Sequence, residues 1–200
     1  MKIIGLTGGI ASGKSYVSEI LKSKGIPVID ADAISREIVN KGSEALKEIE
    51  SEFGKEILNE DGTLNRKKLG CIVFSDKNKL ETLNRIMHPK IIKEISERVE
   101  KIKSEGFKLC FIDAALLIET GLYRITDIVI LVYVDRQTQV ERLIKRDNIS
   151  LIEAEKRIES QMSFKEKMKY SHYIIDNNGS REYTKQQICK IIEEIISMED

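Results

Sequence analysis

Eight residues near the start of the chain, Gly8-Gly9-Ile10-Ala11-Ser12-Gly13-Lys14-Ser15, have the types and spacing that wrap a triphosphate. A polyanion of that kind is held by backbone N–H donors, and glycines let the main chain curl closely around it. Lys14 adds a point charge for the β- and γ-phosphates, and the Ser15 hydroxyl suits Mg²⁺. The apolar run Ile3-Ile4-Gly5-Leu6 before the loop reads as a strand, while Val17, Ile20 and Leu21 behind it share one helical face. The helix starting at Lys14 therefore aims its positive end at the same phosphates. A Gly-rich turn with no ligand is the plain alternative, and the strand, loop and helix in succession disfavour it.

The elements that must position this loop follow from the rest of the chain. Two hundred residues suit one sizeable core with subsidiary lobes. Lys plus Arg and Asp plus Glu balance at 33 each, so no overall field draws the chain to nucleic acid or an anionic membrane. Cys71, Cys110 and Cys189 lack C-x-x-C spacing, which argues against a disulfide framework or a zinc site and for a reducing cytoplasm. No apolar stretch approaches a membrane span, and no targeting signal is visible.

Strand-like runs recur at Lys2 to Leu6, Ile26 to Ile29, Phe107 to Ile112, Ile128 to Val134 and Tyr173 to Ile175. Helical patterns separate them, and the last carries a stripe of Ile188, Ile191, Ile192, Ile195 and Ile196. This alternation predicts a three-layer α/β fold around a parallel five-stranded sheet with right-handed crossovers. From Asp32 to about Gly106 the text is helical instead: Ser43 to Phe53, Arg66 to Phe74, and Pro89 to Lys103 with Pro89 in its first turn. Asp61-Gly62 marks a turn there, and Ser150-x-x-Glu153 a capping box farther on. The division expected is one domain with a core of 1–31, 107–138 and 170–200, a helical lobe of 32–106 and a helical lid of 139–169.

An ordered series of motifs now resembles one family. After the loop come Ile29-Asp30-Ala31-Asp32 with Arg36, Arg66-x-x-Leu69, Val73-Phe74, His88-Pro89, and Asp113 followed by Leu116-Leu117-Ile118-Glu119. Arg142-Leu143-x-x-Arg146-Asp147, Arg157-Ile158-x-x-Gln161 and Ile175-Asp176-Asn177-Asn178-Gly179 complete it. The chain resembles the dephospho-CoA kinases, P-loop kinases that transfer the γ-phosphate of ATP to the 3′-hydroxyl of dephospho-CoA in the last step of coenzyme A synthesis. Ala11 stands where a third loop glycine is usual, Tyr16 where Thr is common, Ala115 in place of a proline and Ile118 in place of a Phe. An alanine at position 11 fits readily if its φ is negative.

The resemblance implies ATP as phosphate donor, Mg²⁺ and a small-molecule acceptor, in a cytoplasmic monomer or weak homo-oligomer with no nucleic-acid or membrane partner. It points to Gly8 through Tyr16, Arg146 and Asn177 for the nucleotide, to Ser15 and Asp113 for the metal, and to Asp32, Arg36, His88 and Leu117 for the acceptor. Lys14, Asp32 and Arg142 are the candidates for catalysis. Asp30 and Asp32 lie at the carboxyl end of the second strand, where ligands bind in open α/β sheets, and Asp32 would orient the hydroxyl and take its proton. Asp30 and Asp32 could instead cap the next helix. Arg142 and Arg146 share a helix face that could reach the triphosphate or pair with Glu141 and Asp147. Arg157 could serve the lid or pair with Glu153, His88 could cap a helix, and Asn177 could serve the adenine or the turn. Asp113, ending an apolar strand, could be a turn residue or a magnesium holder.

A different nucleotide kinase is the nearest rival. A guanine-nucleotide switch lacks its N-K-x-D sequence here, and a binding protein without transfer activity would have little use for Asp32.

Overall fold

Every residue of β3 (Leu109–Asp113) is buried, as are Ile128 through Val132 in β4 (Ile128–Tyr133). Successive side chains of a strand point to opposite faces, so uninterrupted burial means a sheet covered on both sides. The computed structural model, which describes residues 1–197, shows this sheet to be five-stranded and parallel. Its order is β2-β3-β1-β4-β5, with β1 at Lys2–Gly8, β2 at Val28–Asp30 and β5 at Tyr173–Asp176. The central strand β1 is in register with β3 from Lys2 opposite Leu109 to Leu6 opposite Asp113. The loop after β1 therefore opens at the carboxyl edge, where the chain's strand order reverses.

Helices α1 (Lys14–Ser23) and α9 (Arg181–Ser197) cover one face. Val17, Ile20 and Leu21 of α1 and Ile188, Ile191, Ile192 and Ile195 of α9 pack on Ile4, Leu6, Phe111, Ile130 and Val132. Each such side chain contributes about 1.5–3 kcal/mol by leaving water, which fixes both helices against the strands. Ile196, the last of the expected stripe, is 39% exposed, so the buried face ends one residue earlier.

The chain forms two compact units, one of Met1–Asp30 with the chain from Lys101 onward and one of Ala31–Glu100. Within the second lie α2 (Ala31–Glu37), α3 (Glu44–Phe53) and α4 (Arg66–Phe74), with a short 3₁₀ turn at Lys55–Ile57. Ser43 and Asn65 cap α3 and α4 by accepting from Leu46 N and Lys68 N. This unit has its own core, in which Ile49, Phe53, Ile57, Leu69 and Val73 meet. The sequence placed a helix start at Pro89, but α5 runs unbroken through Lys77–Ser104 with Pro89 inside it. Proline deprives the helix of one N–H, yet Leu80, Leu83, Ile86 and Met87 pack on that core, and Ile91, Ile95 and Val99 are buried beyond it. Apolar burial on both sides of Pro89 outweighs the lost hydrogen bond.

Three short helices of the first unit follow β4. Helix α6 (Arg136–Asp147) is capped by Asp135 and ends at Asn148, whose φ of 51° turns the chain. Helix α7 (Leu151–Glu159) begins with the expected Ser150–Glu153 capping box, and α8 (Phe164–Met168) with a second one, Ser163–Glu166. Leu143, Ala154 and Ile158 form a small core between α6 and α7, and Ile10 and Ala11 of the loop pack against it.

Candidate active site

The loop from Gly8 to Ser15 is held by contacts at almost every turn. Ser12 N donates to Gly9 O at 3.1 Å, and Gly13, with φ of 86°, starts α1. A Cβ at Gly13 would strike the amide of Asn177, so both conformation and space demand glycine. Ala11 has φ of 60°, so the condition under which an alanine fits readily there is not met. An L-residue there carries about 1–2 kcal/mol of steric cost that glycine would escape.

Lys14 forms an ion pair with Asp113, and the Ser18 hydroxyl donates to the same carboxylate. Asp113 ends β3, is 7% exposed, and lies in register with Leu6 on one side and Asp30 on the other. Ser15 is exposed in the first turn of α1. Ser12 Oγ is buried and has no hydrogen-bond partner among the described residues, an arrangement that costs free energy until something satisfies it. The Tyr16 ring lies 5.2 Å from the Arg181 guanidinium, and its hydroxyl donates to Arg181 O at 3.2 Å.

Asn177 is buried and fully engaged. Its Nδ2 donates to Ser12 O at 2.8 Å, its Oδ1 accepts from Thr184 Oγ1 at 2.8 Å, and its carbonyl accepts from Arg142 Nη2 at 2.9 Å. Arg142 thereby stands beside Gly13. Arg146 instead donates to Asp147 at 2.7 Å, and Arg157 joins the same carboxylate at 2.7 Å rather than Glu153. Leu117 is fully buried behind Gly5, while its neighbour Leu116 is 42% exposed. The Leu117 side chain packs behind the central strand.

In the second unit Asp32 occupies the first turn of α2, where its carbonyl accepts from Ser35 Oγ at 2.8 Å, and Arg36 is exposed on the same helix. His88 lies within α5, not at a helix start, and burial pushes its imidazole below the usual histidine range.

Four side chains that the sequence reading left without a role complete the surroundings of the loop. Gln139 of α6 donates to Ile10 O at 2.8 Å, and Gln161 accepts from Ile10 N at 2.7 Å. Lys167 of α8 is fully buried, donating to Glu119 at 2.8 Å and to Ala115 O at 3.1 Å. Burial pulls its ammonium below the ordinary lysine range, against the opposing pull of Glu119. Glu119 also accepts from Met162 N at 3.3 Å. A cavity of about 570 Å³ opens here, with Gly9, Tyr133, Gln139, Gln161, Met162 and Phe164 among its walls. Glycine at position 9 matters, since a Cβ would come within 2.8 Å of Gln139 Nε2 and 2.9 Å of the Phe164 ring.

A strand-end loop with its lysine on a neighbouring strand-end aspartate, beside an arginine of α6, is an arrangement suited to phosphoryl transfer. The family model that matches the chain, over residues 2–182, is that of dephospho-CoA kinase. The chain belongs to the dephospho-CoA kinase family. Among its relatives, a dephospho-CoA kinase from Listeria innocua is 45% identical over 196 residues, 98% of each chain. Another, from Bacillus cereus, is 47% identical over 190 residues, 95% of each. The solved dephospho-CoA kinase from Campylobacter jejuni is 33% identical and superposes with a TM-score of 0.73 over 99% of this chain and 98% of that one. A shikimate kinase from Acinetobacter baumannii, at 17% identity and a TM-score of 0.52 over 98% of this chain and 94% of that one, shares the fold. The kinase is thus an α/β enzyme of the P-loop type that uses ATP on a small molecule. Among its described residues no helix is long and apolar enough to cross a membrane.

Proposed function

We propose that this kinase transfers the γ-phosphate of ATP to the ribose 3′-hydroxyl of dephospho-CoA, giving coenzyme A and ADP. The observation that carries the reading is the pairing of Lys14 with Asp113 at the carboxyl edge of β1 and β3, inside a chain matched by this family from residue 2 to 182. On nucleotide binding Lys14 exchanges the carboxylate for the β- and γ-phosphates, whose charge it neutralises as the γ-phosphoryl group departs. The N–H groups at the start of α1 hold the same phosphates. Arg142, already beside Gly13, supplies further positive charge from the lid.

Asp32 orients the acceptor hydroxyl and accepts its proton, the oxygen bonds to the γ-phosphorus, and the bond from that phosphorus to the β-phosphate oxygen breaks, releasing ADP. Arg36 and His88, in the same unit as Asp32, contribute acceptor contacts. Ser15 and Asp113 are the oxygen donors for Mg²⁺, a sparse set that fits an ion keeping most of its waters and sharing phosphate oxygens. Mg²⁺, when bound, would supply charge neutralisation for the phosphates. Helices α6 to α8 screen the reacting groups from water, which would otherwise take the phosphate. The protein works as a cytoplasmic monomer or weak homo-oligomer.

A coupled assay of ADP release with and without dephospho-CoA tests the activity. Release should depend on that acceptor; a preference for nucleoside monophosphates or nucleosides would overturn the assignment.

A further inference from the structure

Ala11 holds a left-handed backbone conformation, φ 60°, that alanine disfavours, with only its methyl group packed against the small core of α6 and α7. Rotating the Ile10–Ala11 peptide by about half a turn would carry Ala11 to a negative φ and relieve the clash of its Cβ. It would also reverse the Ala11 N–H, because N–H and C=O of a planar trans peptide point opposite ways. Opposing this rotation is Gln139, buried at 3% exposure on α6, whose Nε2 grips the carbonyl of that peptide at 2.8 Å. The preceding peptide is tied by Gln161, through Ile10 N at 2.7 Å. Beyond Ala11, Asn177 holds the Ser12 carbonyl at 2.8 Å. Each captured carbonyl aims the next N–H the other way, Ala11 N–H for Gln139 and Gly13 N–H for Asn177.

The geometry points to Gln139 as a positioning residue for nucleotide binding: by gripping the Ile10 carbonyl it keeps Ala11 left-handed and the Ala11 N–H aimed at the phosphates, with Gln161 steadying the adjoining peptide. This rests on the reading of residues 8–15 as the triphosphate loop. The device belongs to a chain with alanine at this position, since glycine would hold the same φ unaided. Both glutamines belong to the segment of α6 to α8, so the loop's shape depends on that segment staying docked. Neither residue touches the reacting atoms in this scheme.

The test is a double-mutant cycle read by calorimetric binding of ADP to the full chain. Gln139→Met keeps the side chain's length and removes its donor. In the Ala11 chain it should weaken ADP binding about 10-fold, the worth of a buried hydrogen bond. In the Ala11→Gly chain the same change should cost about 2-fold or less, because the left-handed state no longer needs holding. In turnover, the KM for ATP should rise while the KM for the acceptor stays, which general loss of folded enzyme would not produce. Gln161→Ala, at a partly exposed site, gives a second variant should Gln139→Met fail to fold, and its loss should likewise shrink in the Ala11→Gly chain. Equal losses in both backgrounds, or no loss in either, would overturn the positioning role. Failure of the unaltered chain to bind ADP at all would instead sink the reading of the loop itself.

Discussion

Glu119→Gln should be among the most damaging substitutions made outside the residues assigned to catalysis. Lys167 has no exposed surface, and the carboxylate 2.8 Å away has a side chain only 20% exposed, so the pair sits in a poorly solvated place. Removing one partner of such a pair costs about 3–5 kcal/mol, and the low end applies because glutamine keeps an acceptor oxygen for the ammonium. Lys167→Met should cost less, about 1–2 kcal/mol, since the carboxylate left behind still accepts from Met162 N and reaches water. The double variant should cost little more than Lys167→Met alone, leaving a coupling energy approaching the roughly 3 kcal/mol of Glu119→Gln. Urea unfolding measures all four chains, and the worst should melt about 6–12 °C below the parent. The pH dependence has a definite sign. Burial lowers the Lys167 pKa from 10.5, so between that lowered value and 10.5 the unfolded chain binds more protons and stability rises with pH. Without Glu119 the lowering deepens and the window reaches to lower pH. A Glu119→Gln cost under about 1 kcal/mol, or strict additivity in the double variant, would show that the pair is not desolvated and refute the reasoning.

Burial pushes the Cys110 thiol up to about 11, whereas Cys71 is exposed; alkylation in native buffer should modify Cys71 quickly and Cys110 only after unfolding, with early labelling of Cys110 counting against its place in β3. Because burial holds His88 below its ordinary 6.5, the unfolded chain takes up that proton first, and stability should fall as pH drops through 6.5 toward the folded value; His88→Gln should flatten that part of the profile. Lys14→Ala should reduce turnover by about 10²-fold or more, measured by ADP release. Asp32→Asn should lower kcat far more than it weakens ATP binding, and intact turnover in that variant would remove Asp32 from its role.

Much of this architecture was visible in the residues because burial leaves a pattern. Seven successive apolar residues, Ile128 to Val134, announced the covered strand β4, and the isoleucines of α9 announced a helix with one buried side. Strand ends were less visible: Phe107 looks like strand material, yet it is 39% exposed and β3 starts at Leu109. Pro89 misled for a local reason, since its penalty is read from one position while the packing that overrides it comes from Leu80 through Val99. The loop and Asp113 were legible from spacing and strand-end placement. Lys167 was not, because in the run Lys165-Glu166-Lys167-Met168-Lys169 nothing marks one lysine as interior. The second capping box, Ser163 to Glu166, was in plain view and would have fixed α8. Gln161 stood within a recognised motif, but only coordinates reveal that its partner is a backbone N–H 151 positions away in sequence.

On the proposed reading of the loop, the resident carboxylate on Lys14 would make the kinase a discriminating anion exchanger. An incoming anion must evict Asp113 from that ammonium, so its net gain is the difference between two attractions rather than the whole of one. Orthophosphate, with less charge than a triphosphate, would compete poorly under such terms, whereas a triphosphate would spread several charges over the loop. Cellular phosphate would therefore leave the enzyme open to its nucleotide.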